Sequence, residues 1–140
     1  MKSIKEIDLH NTVLKELNYS FGTVFIFDGF VVSEINRGVN FNWNQHAQLI
    51  VEDIACYLGT DGSDLIYISN RIHSYSVVAS DWLKFFKNSY NLKGYFIISD
   101  SNVGILNSMI ENLFFNNKIK RFNSIETALN WIKMGLVEIA

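Results

Sequence analysis

Residues 21–35, FGTVFIFDGFVVSEI, set the architecture of the chain. Two runs of β-branched and aromatic residues, 23–27 and 30–35, flank Asp28-Gly29. An Asp-Gly pair between such runs is a strong hairpin signal, and it favours a type I′ turn with positive φ at both central residues. Residues 13–20 supply a further strand, so the first third of the chain is predicted to form an antiparallel meander.

From Asn42 onward the pattern changes to an alternation of helices and strands. Apolar residues recur at three- and four-residue steps up to Leu58, and Gly59 follows where a helix would end in a left-handed residue. The alternation continues to Gly135. It predicts strands at 65–68, 94–98 and 118–122, with helices capped by Ser80, by Asp100 or Ser101, and by Asn123 with Glu126 three residues later.

Each predicted helix has an apolar stripe that is expected to face the sheet. Two adjacent aromatic pairs, Phe85-Phe86 and Phe114-Phe115, cannot both face one core, so one member of each is expected at the edge of the stripe. The four stripes are Trp43, Ala47, Ile50, Ile54, Tyr57 and Leu58; Trp82, Leu83, Phe85 and Phe86; Ile105, Leu106, Met109, Ile110, Leu113 and Phe114; and Ile125, Ala128, Leu129 and Ile132.

The predicted fold class is α/β, with a mixed β-sheet that begins antiparallel, continues with parallel βα units and is covered by about four helices. We expect one domain over residues 1–140, with its antiparallel strands in 13–36 and the helix–strand alternation in 42–135. No linker, internal repeat or low-complexity segment interrupts the pattern.

Composition excludes several classes of protein. Hydrophobic residues make up 49% of the chain and charged residues 19%, so some apolar surface is expected to remain exposed, which favours a homodimer. The net charge of −2, with no run of lysines or arginines, argues against nucleic acid binding. No apolar stretch approaches the roughly 20 residues of a membrane span. Residues 1–6 lack the apolar core of a signal peptide, which predicts a cytoplasmic protein. The single cysteine, Cys56, cannot form an internal disulfide and is expected in the core.

The order of elements, the hairpin at 25–32 and the closing segment RFNSIETALNW at 121–131 together resemble the STAS (SpoIIAA-like) family, over roughly residues 21–135. The resemblance implies a bacterial, generally non-enzymatic domain that binds protein partners such as kinase-type anti-sigma factors, nucleotides or lipids. Some members are switched by phosphorylation of a serine in an Asp-Ser-Ser-Gly-like turn. The matching stretch here, 68–77, has serines but neither the aspartate nor the glycine, which counts against such a switch.

The candidate site is the polar stretch after the most apolar predicted strand, because loops at the carboxyl ends of parallel strands bind ligands in open α/β sheets. Arg71 can hold an anion bidentately. Polar residues that follow neighbouring strands, including Arg37 and Ser99–Asn102, are expected on the same rim. Alternatively, Arg71 pairs with a carboxylate such as Glu34, and the serines cap turns and helices. The candidate residues are Asn70, Arg71, His73, Ser74, Tyr75, Ser76 and Arg37.

Catalytic and metal motifs are weak. His73 lies near Tyr75 and Ser76, but no Gly-x-Ser-x-Gly turn surrounds any serine. The histidines and Cys56 show no metal-ligand spacing, and no glycine motif cradles phosphate, so we expect no metal and no cofactor. We therefore favour a non-catalytic regulatory or interaction domain that binds a protein partner or small anionic ligand. The alternative is a small-molecule or lipid carrier, or an enzyme with a pocket around Arg71 and His73.

Overall fold

A mixed β-sheet lies at the centre of the structure. The computed structural model describes residues 1–135, apart from the side chains of residues 102–105. Within this range the strands, in chain order, are β1 (Lys15–Tyr19), β2 (Gly22–Phe27), β3 (Phe30–Ile35), β4 (Asn40–Phe41), β5 (Ile66–Asn70), β6 (Ser76–Val77), β7 (Gly94–Ile98) and β8 (Lys120–Phe122).

Six of the described strands form the main sheet, in the order β1-β2-β3-β5-β7-β8, and β4 pairs with β6 beside it. The pairs β1–β2 and β2–β3 are antiparallel, and every later pair in the main sheet is parallel. The helices are α1 (Gln48–Leu58), preceded by a π-helical turn (Trp43–Ala47); α2 (Trp82–Lys87), preceded by a 3₁₀ turn (Ala79–Asp81); α3 (Asn102–Glu111); and α4 (Ile125–Lys133). The predicted mixed α/β fold is confirmed.

The Asp28-Gly29 hairpin is confirmed, but its turn type differs from the prediction. Phe27 pairs with Phe30, so the loop has two residues. Gly29 has a φ of +84°, whereas the φ of Asp28 is not positive. A positive φ at the second central residue alone belongs to a type II turn, so the type I′ prediction is wrong. The turn therefore needs a residue that tolerates positive φ only at Gly29, and not at Asp28 as well.

The two faces of the sheet are covered by different elements. Successive strand residues point to opposite faces. The front face carries Val24, Val31, Tyr67 and Tyr95 and is covered by α1, α2 and α3. The back face packs against α4 and two N-terminal 3₁₀ turns, Ile4–Glu6 and Asp8–Thr12, through residues that include Ile4, Phe25, Val32, Ile68, Phe96, Ile98, Ile125 and Ala128.

Helix α4 buries the stripe that the sequence predicts. Ile125 and Ala128 lie in the back-face core, with Leu129 and Ile132 packed beside them. The cap differs by one residue, since the side chain of Ser124 accepts the Thr127 N–H. Asn123 was the predicted cap, and that prediction is wrong because the extended backbone of Ser124, not Asn123, places a hydroxyl at the helix start.

Helix α3 exposes the stripe that was predicted to be buried. Four residues of the predicted stripe are between 52% and 77% exposed: Leu106, Met109, Ile110 and, just after the end of the helix, Leu113. Ser108 and Glu111 are buried instead, at 2% and 1% exposure. Phe115 is buried and Phe114 only partly, and the side chain of Ile105 lies outside the described residues. The prediction for this helix is therefore wrong, because the sheet presents polar partners to Glu111 at this point.

Smaller departures concern the ends of helices. Tyr57 and Leu83 are 48% and 56% exposed, at the edges of their stripes, and Cys56 is exposed and not in the core. Ser80 lies within the 3₁₀ turn before α2 and does not cap it. Across residues 1–135, no helix has the length and apolar character needed to cross a membrane.

Candidate functional site

Polar loops that follow β3, β5 and β7 meet at one edge of the sheet. These strands are parallel, so their carboxyl ends lie side by side. The loops enclose an open pocket of about 240 Å³, which we call the rim pocket. It is lined by Arg37, Arg71, Ile72, His73, Ser74, Tyr75, Ser99, Asp100, Ser101 and Asn107.

Five of the seven candidate residues line the rim pocket, and Asn70 and Ser76 do not. Asn70 points to the back face, where its side-chain N–H groups bond to the Lys2 carbonyl (3.1 Å) and to Glu34 Oε2 (2.9 Å). Ser76 lies on β6, and its hydroxyl donates to Asn40 Oδ1 (2.9 Å). Asn70 and Arg71 are consecutive in an extended segment, which is why their side chains go to opposite faces.

Arg71 is the anchor of the rim pocket. Its side chain is 6% exposed and forms an ion pair with Glu111, with 2.6 Å between Nη2 and Oε2. It also donates from Nε to Ser69 Oγ (3.0 Å) and from Nη2 to Tyr95 Oη (2.9 Å). The alternative partner, Glu34, lies on the back face and accepts instead from Ser3 and the Ile4 N–H. Arg71 thus pairs with a carboxylate, but the carboxylate is Glu111 of α3 and not Glu34.

Glu111 is the acceptor that holds this cluster together. Its Oε1 accepts from Tyr95 Oη (2.7 Å) and from Trp82 Nε1 (3.1 Å), while Oε2 accepts from Arg71. A carboxylate that is 1% exposed needs such compensation, because an unpaired buried charge is strongly destabilising. Glu111 therefore joins α3 to β7, to α2 and to the segment after β5.

The cluster fixes the protonation state of the groups around Arg71. Burial raises the pKa of Tyr67 and of Tyr95, and the negative charge of Glu111 raises both further. Burial acts to lower the pKa of Arg71, but the ion pair and hydrogen bond with Glu111 outweigh it, so that pKa lies well above its ordinary value. Both phenols stay neutral and Arg71 stays charged across the physiological pH range.

The hydrogen bonds described for the Arg71 side chain use Nε and Nη2, so Nη1 is the donor left for a ligand. A second guanidinium, Arg37, is exposed on the same pocket. Asp100 is the one carboxylate among the described lining residues. Hydroxyls of Ser74, Ser99 and Ser101 add hydrogen-bonding groups, so the pocket can hold a small anion by charge-assisted hydrogen bonds.

A second cavity lies behind the rim pocket, between the front face of the sheet and helices α1 and α2. This inner cavity has a volume of about 110 Å³ and is mainly apolar. Arg71 and Tyr75 line both cavities. The Arg71 guanidinium lies 5.4 Å from the Tyr75 ring centre, and the Tyr75 hydroxyl is 2.7 Å from Ser69 Oγ. The rim pocket and the inner cavity therefore adjoin at these two side chains.

The geometry around His73 offers no nucleophile–base pair. Within residues 1–135, no hydrogen bond from His73 to a serine, tyrosine or carboxylate is described, and hydrogen-bond reach is the first requirement for such catalysis. In the same range no three His, Cys, Asp or Glu side chains are grouped closely enough to hold a metal ion.

The sequence did not point to Glu111, Tyr95 or Ser69, the hydrogen-bond partners of Arg71, or to Trp82, which donates to Glu111. Glu111 is the single acid of α3, whose described exposed positions are apolar, and that isolation was the available signal. A lone charge on an apolar helix belongs either at the solvent side or opposite a buried counter-charge. That Glu111 lies opposite a buried counter-charge follows only from the spatial position of Arg71, 40 residues earlier in the chain.

The fold resembles that of a solved structure. An uncharacterized DUF3478-family protein from Shewanella loihica PV-4, described as having a SpoIIAA-like fold, matches with a TM-score of 0.55, covering 84% of this chain and 90% of that chain. The two sequences are 13% identical, so the likeness is one of fold. The chain has a SpoIIAA-like fold, as the resemblance of its sequence implied. No protein-family model matches the chain, and no curated protein sequence matches it significantly.

Proposed function

We propose that this chain is a non-catalytic binding domain whose rim pocket takes a small anionic ligand, a carboxylate or a phosphate. The observation that carries the proposal is the Arg71 guanidinium at the edge of the pocket, a permanently charged group held by three hydrogen bonds that, among the described residues, involve Nε and Nη2 and not Nη1. Such a donor is pre-organised, so little conformational entropy is lost when an anion binds. Exposed Cys56 fits a reducing compartment such as the cytoplasm.

The test is the affinity for inorganic phosphate and propionate, measured by isothermal titration calorimetry for the wild-type chain and for Arg37→Ala. Arg37 is exposed, so its removal leaves the fold intact, whereas removal of Arg71 would leave Glu111 buried without its counter-charge. We expect Arg37→Ala to weaken binding by about tenfold. The matched control is Arg121→Ala, an exposed arginine on β8 outside the pocket, which should bind as the wild type does.

Two results would contradict the proposal. One is the absence of saturable binding of either anion to the wild-type chain. The other is an affinity that Arg37→Ala and Arg121→Ala change to the same extent, since that would reflect net charge and not a site.

A second candidate function, assembly with another copy, is favoured by the outer face of α3. Leu106, Met109 and Ile110 are exposed there, and Leu113 follows them. No charged side chain is exposed among residues 106–113, so two copies can meet on this face without charge repulsion. Light scattering over a range of concentrations should show a dimer that Met109→Lys dissociates. A monomer at every concentration would exclude this assembly.

A further inference from the structure

The inner cavity is lined by two kinds of apolar side chain. Aliphatic side chains, such as Val31 and Ile54, contribute part of the lining. Aromatic side chains, such as Trp43, Tyr67 and Phe85, contribute another part, which we call the aromatic wall. The aromatic wall is already organised by ring contacts, with Trp43 edge-on to Phe85 at 6.3 Å between ring centres. Rings prefer such stacked and edge-on neighbours, so this wall favours a further aromatic ring over an alkyl chain.

The volume of the inner cavity also favours one ring. A dry apolar cavity of about 150 Å³ accepts benzene. The inner cavity, at about 110 Å³, is of the same order, and a long acyl chain would extend beyond it. A rigid ring loses less conformational entropy on binding than a flexible chain of equal size. Size and wall chemistry therefore agree on a single aromatic ring.

Charge determines the orientation of such a ligand. The carboxylates of Asp61, Asp81 and Glu111 line the inner cavity and repel an anion. The rim pocket has two guanidinium groups, Arg37 and Arg71, and one carboxylate, Asp100, among its described lining residues, so it attracts the anion more strongly. An acid group on the ring thus stays in the rim pocket while the ring lies inside.

We propose that the combined site binds a single-ring aromatic carboxylic acid, with its ring in the inner cavity and its carboxylate in the rim pocket beside Arg71 and Arg37. The short linker between ring and carboxylate lies beside Arg71 and Tyr75, the two side chains that line both pockets. This inference rests on the proposed function, because the carboxylate uses the same rim pocket.

The experiment compares four probes by calorimetry: propionate, 3-phenylpropionate, 3-phenylpropanol and decanoate. We expect 3-phenylpropionate to bind about 30-fold more tightly than propionate, because the ring leaves water. It should also bind more tightly than the uncharged alcohol and than decanoate. Equal affinities of propionate and 3-phenylpropionate would overturn the proposal, and so would tighter binding of decanoate or of the alcohol.

A cavity-filling variant locates the ring. Ile54→Phe adds bulk inside the inner cavity and should reduce the affinity for 3-phenylpropionate to that of propionate. The matched control, Ile132→Phe, adds the same bulk beside the back-face core and should leave binding unchanged. Near-ultraviolet circular dichroism and the melting temperature confirm that both variants fold, and Leu65→Phe, which also fills the cavity, replaces Ile54→Phe if that variant does not.

The outcomes separate the two proposals. If phosphate and propionate bind in an Arg37-dependent way but the ring adds no affinity, or Ile54→Phe has no effect, the aromatic ligand is excluded and the anion site stands. If neither phosphate nor propionate binds, the anion site itself is excluded, and with it the inference that rests on it.

Discussion

Helices α3 and α4 have similar apolar stripes but opposite orientations. Helix α4 packs its stripe against the back face, which consists of residues such as Phe96 and Ile98. Helix α3 turns its stripe to solvent and buries Glu111. The difference lies in the surface that each helix covers. The surface below α3 carries the hydrogen-bond donors of Arg71, Tyr95 and Trp82, which need an acceptor. Apolar periodicity predicts the orientation of a helix only where the facing surface is apolar too.

The largest expected difference in stability is between variants of two acids, Glu111 in α3 and Glu126 in α4. Glu111→Gln removes the counter-charge of Arg71 and should lower the free energy of unfolding by about 3–5 kcal/mol. Glu126→Gln makes the same change at an exposed position of α4 and should alter it by less than about 0.5 kcal/mol. Urea denaturation measures both. Similar values for the two variants would show that the ion pair does not orient α3.

A double variant sharpens this test. Replacing both charges, as in Arg71→Met with Glu111→Leu, leaves no buried charge unpaired, so it should recover most of the stability that Glu111→Gln loses. The same urea experiment gives the coupling between the two positions. Additive losses in a cycle of the single and double variants would contradict a direct ion pair.

The second-largest effect concerns the apolar stripes themselves. Ile125→Ala in α4 creates a cavity in the back-face core and should cost about 2–5 kcal/mol. Ile110→Ala deletes the same atoms from α3, where the side chain is exposed, and should change stability by about 0.5 kcal/mol or less. A large loss at position 110, measured by thermal unfolding at low protein concentration, would mean that the stripe of α3 is buried.

The smallest expected effect concerns the start of α4. Ser124→Ala removes the hydroxyl that accepts the Thr127 N–H and should cost about 1 kcal/mol. Asn123→Ala, at the position the sequence pattern favoured, should cost almost nothing. Chemical denaturation of the pair decides which residue caps the helix, and the opposite ranking would restore Asn123 as the cap.

Local patterns predicted the strands well, because strand formation depends on neighbouring residues. The bounds of β3 and β7 agree with the predicted 30–35 and 94–98. The turn type was missed because Asp-Gly is compatible with two backbone conformations. For the site, the convergence of Arg37 and Arg71 followed from parallel strands that end at one edge. Asn70 could have been set apart from Arg71 by strand alternation alone.

What the sequence could not supply was long-range pairing. Glu111 lies 40 residues from Arg71, and nothing local to either residue names the other. The same holds for the inner cavity, which needs side chains from the sheet, α1 and α2 together. Such features depend on tertiary arrangement, and a single sequence records them only weakly.

The most direct test is a measurement of which face of α3 is buried, because the orientation of this helix brings Glu111 to Arg71. Single cysteines at position 108 or 109, in a Cys56→Ser background, can be labelled with a thiol reagent under native conditions, at a protein concentration at which light scattering shows a monomer. Met109 is 60% exposed and Ser108 is 2% exposed. We expect fast labelling of Met109→Cys and labelling of Ser108→Cys that is roughly 100-fold slower. Equal rates, or faster labelling at position 108, would contradict it.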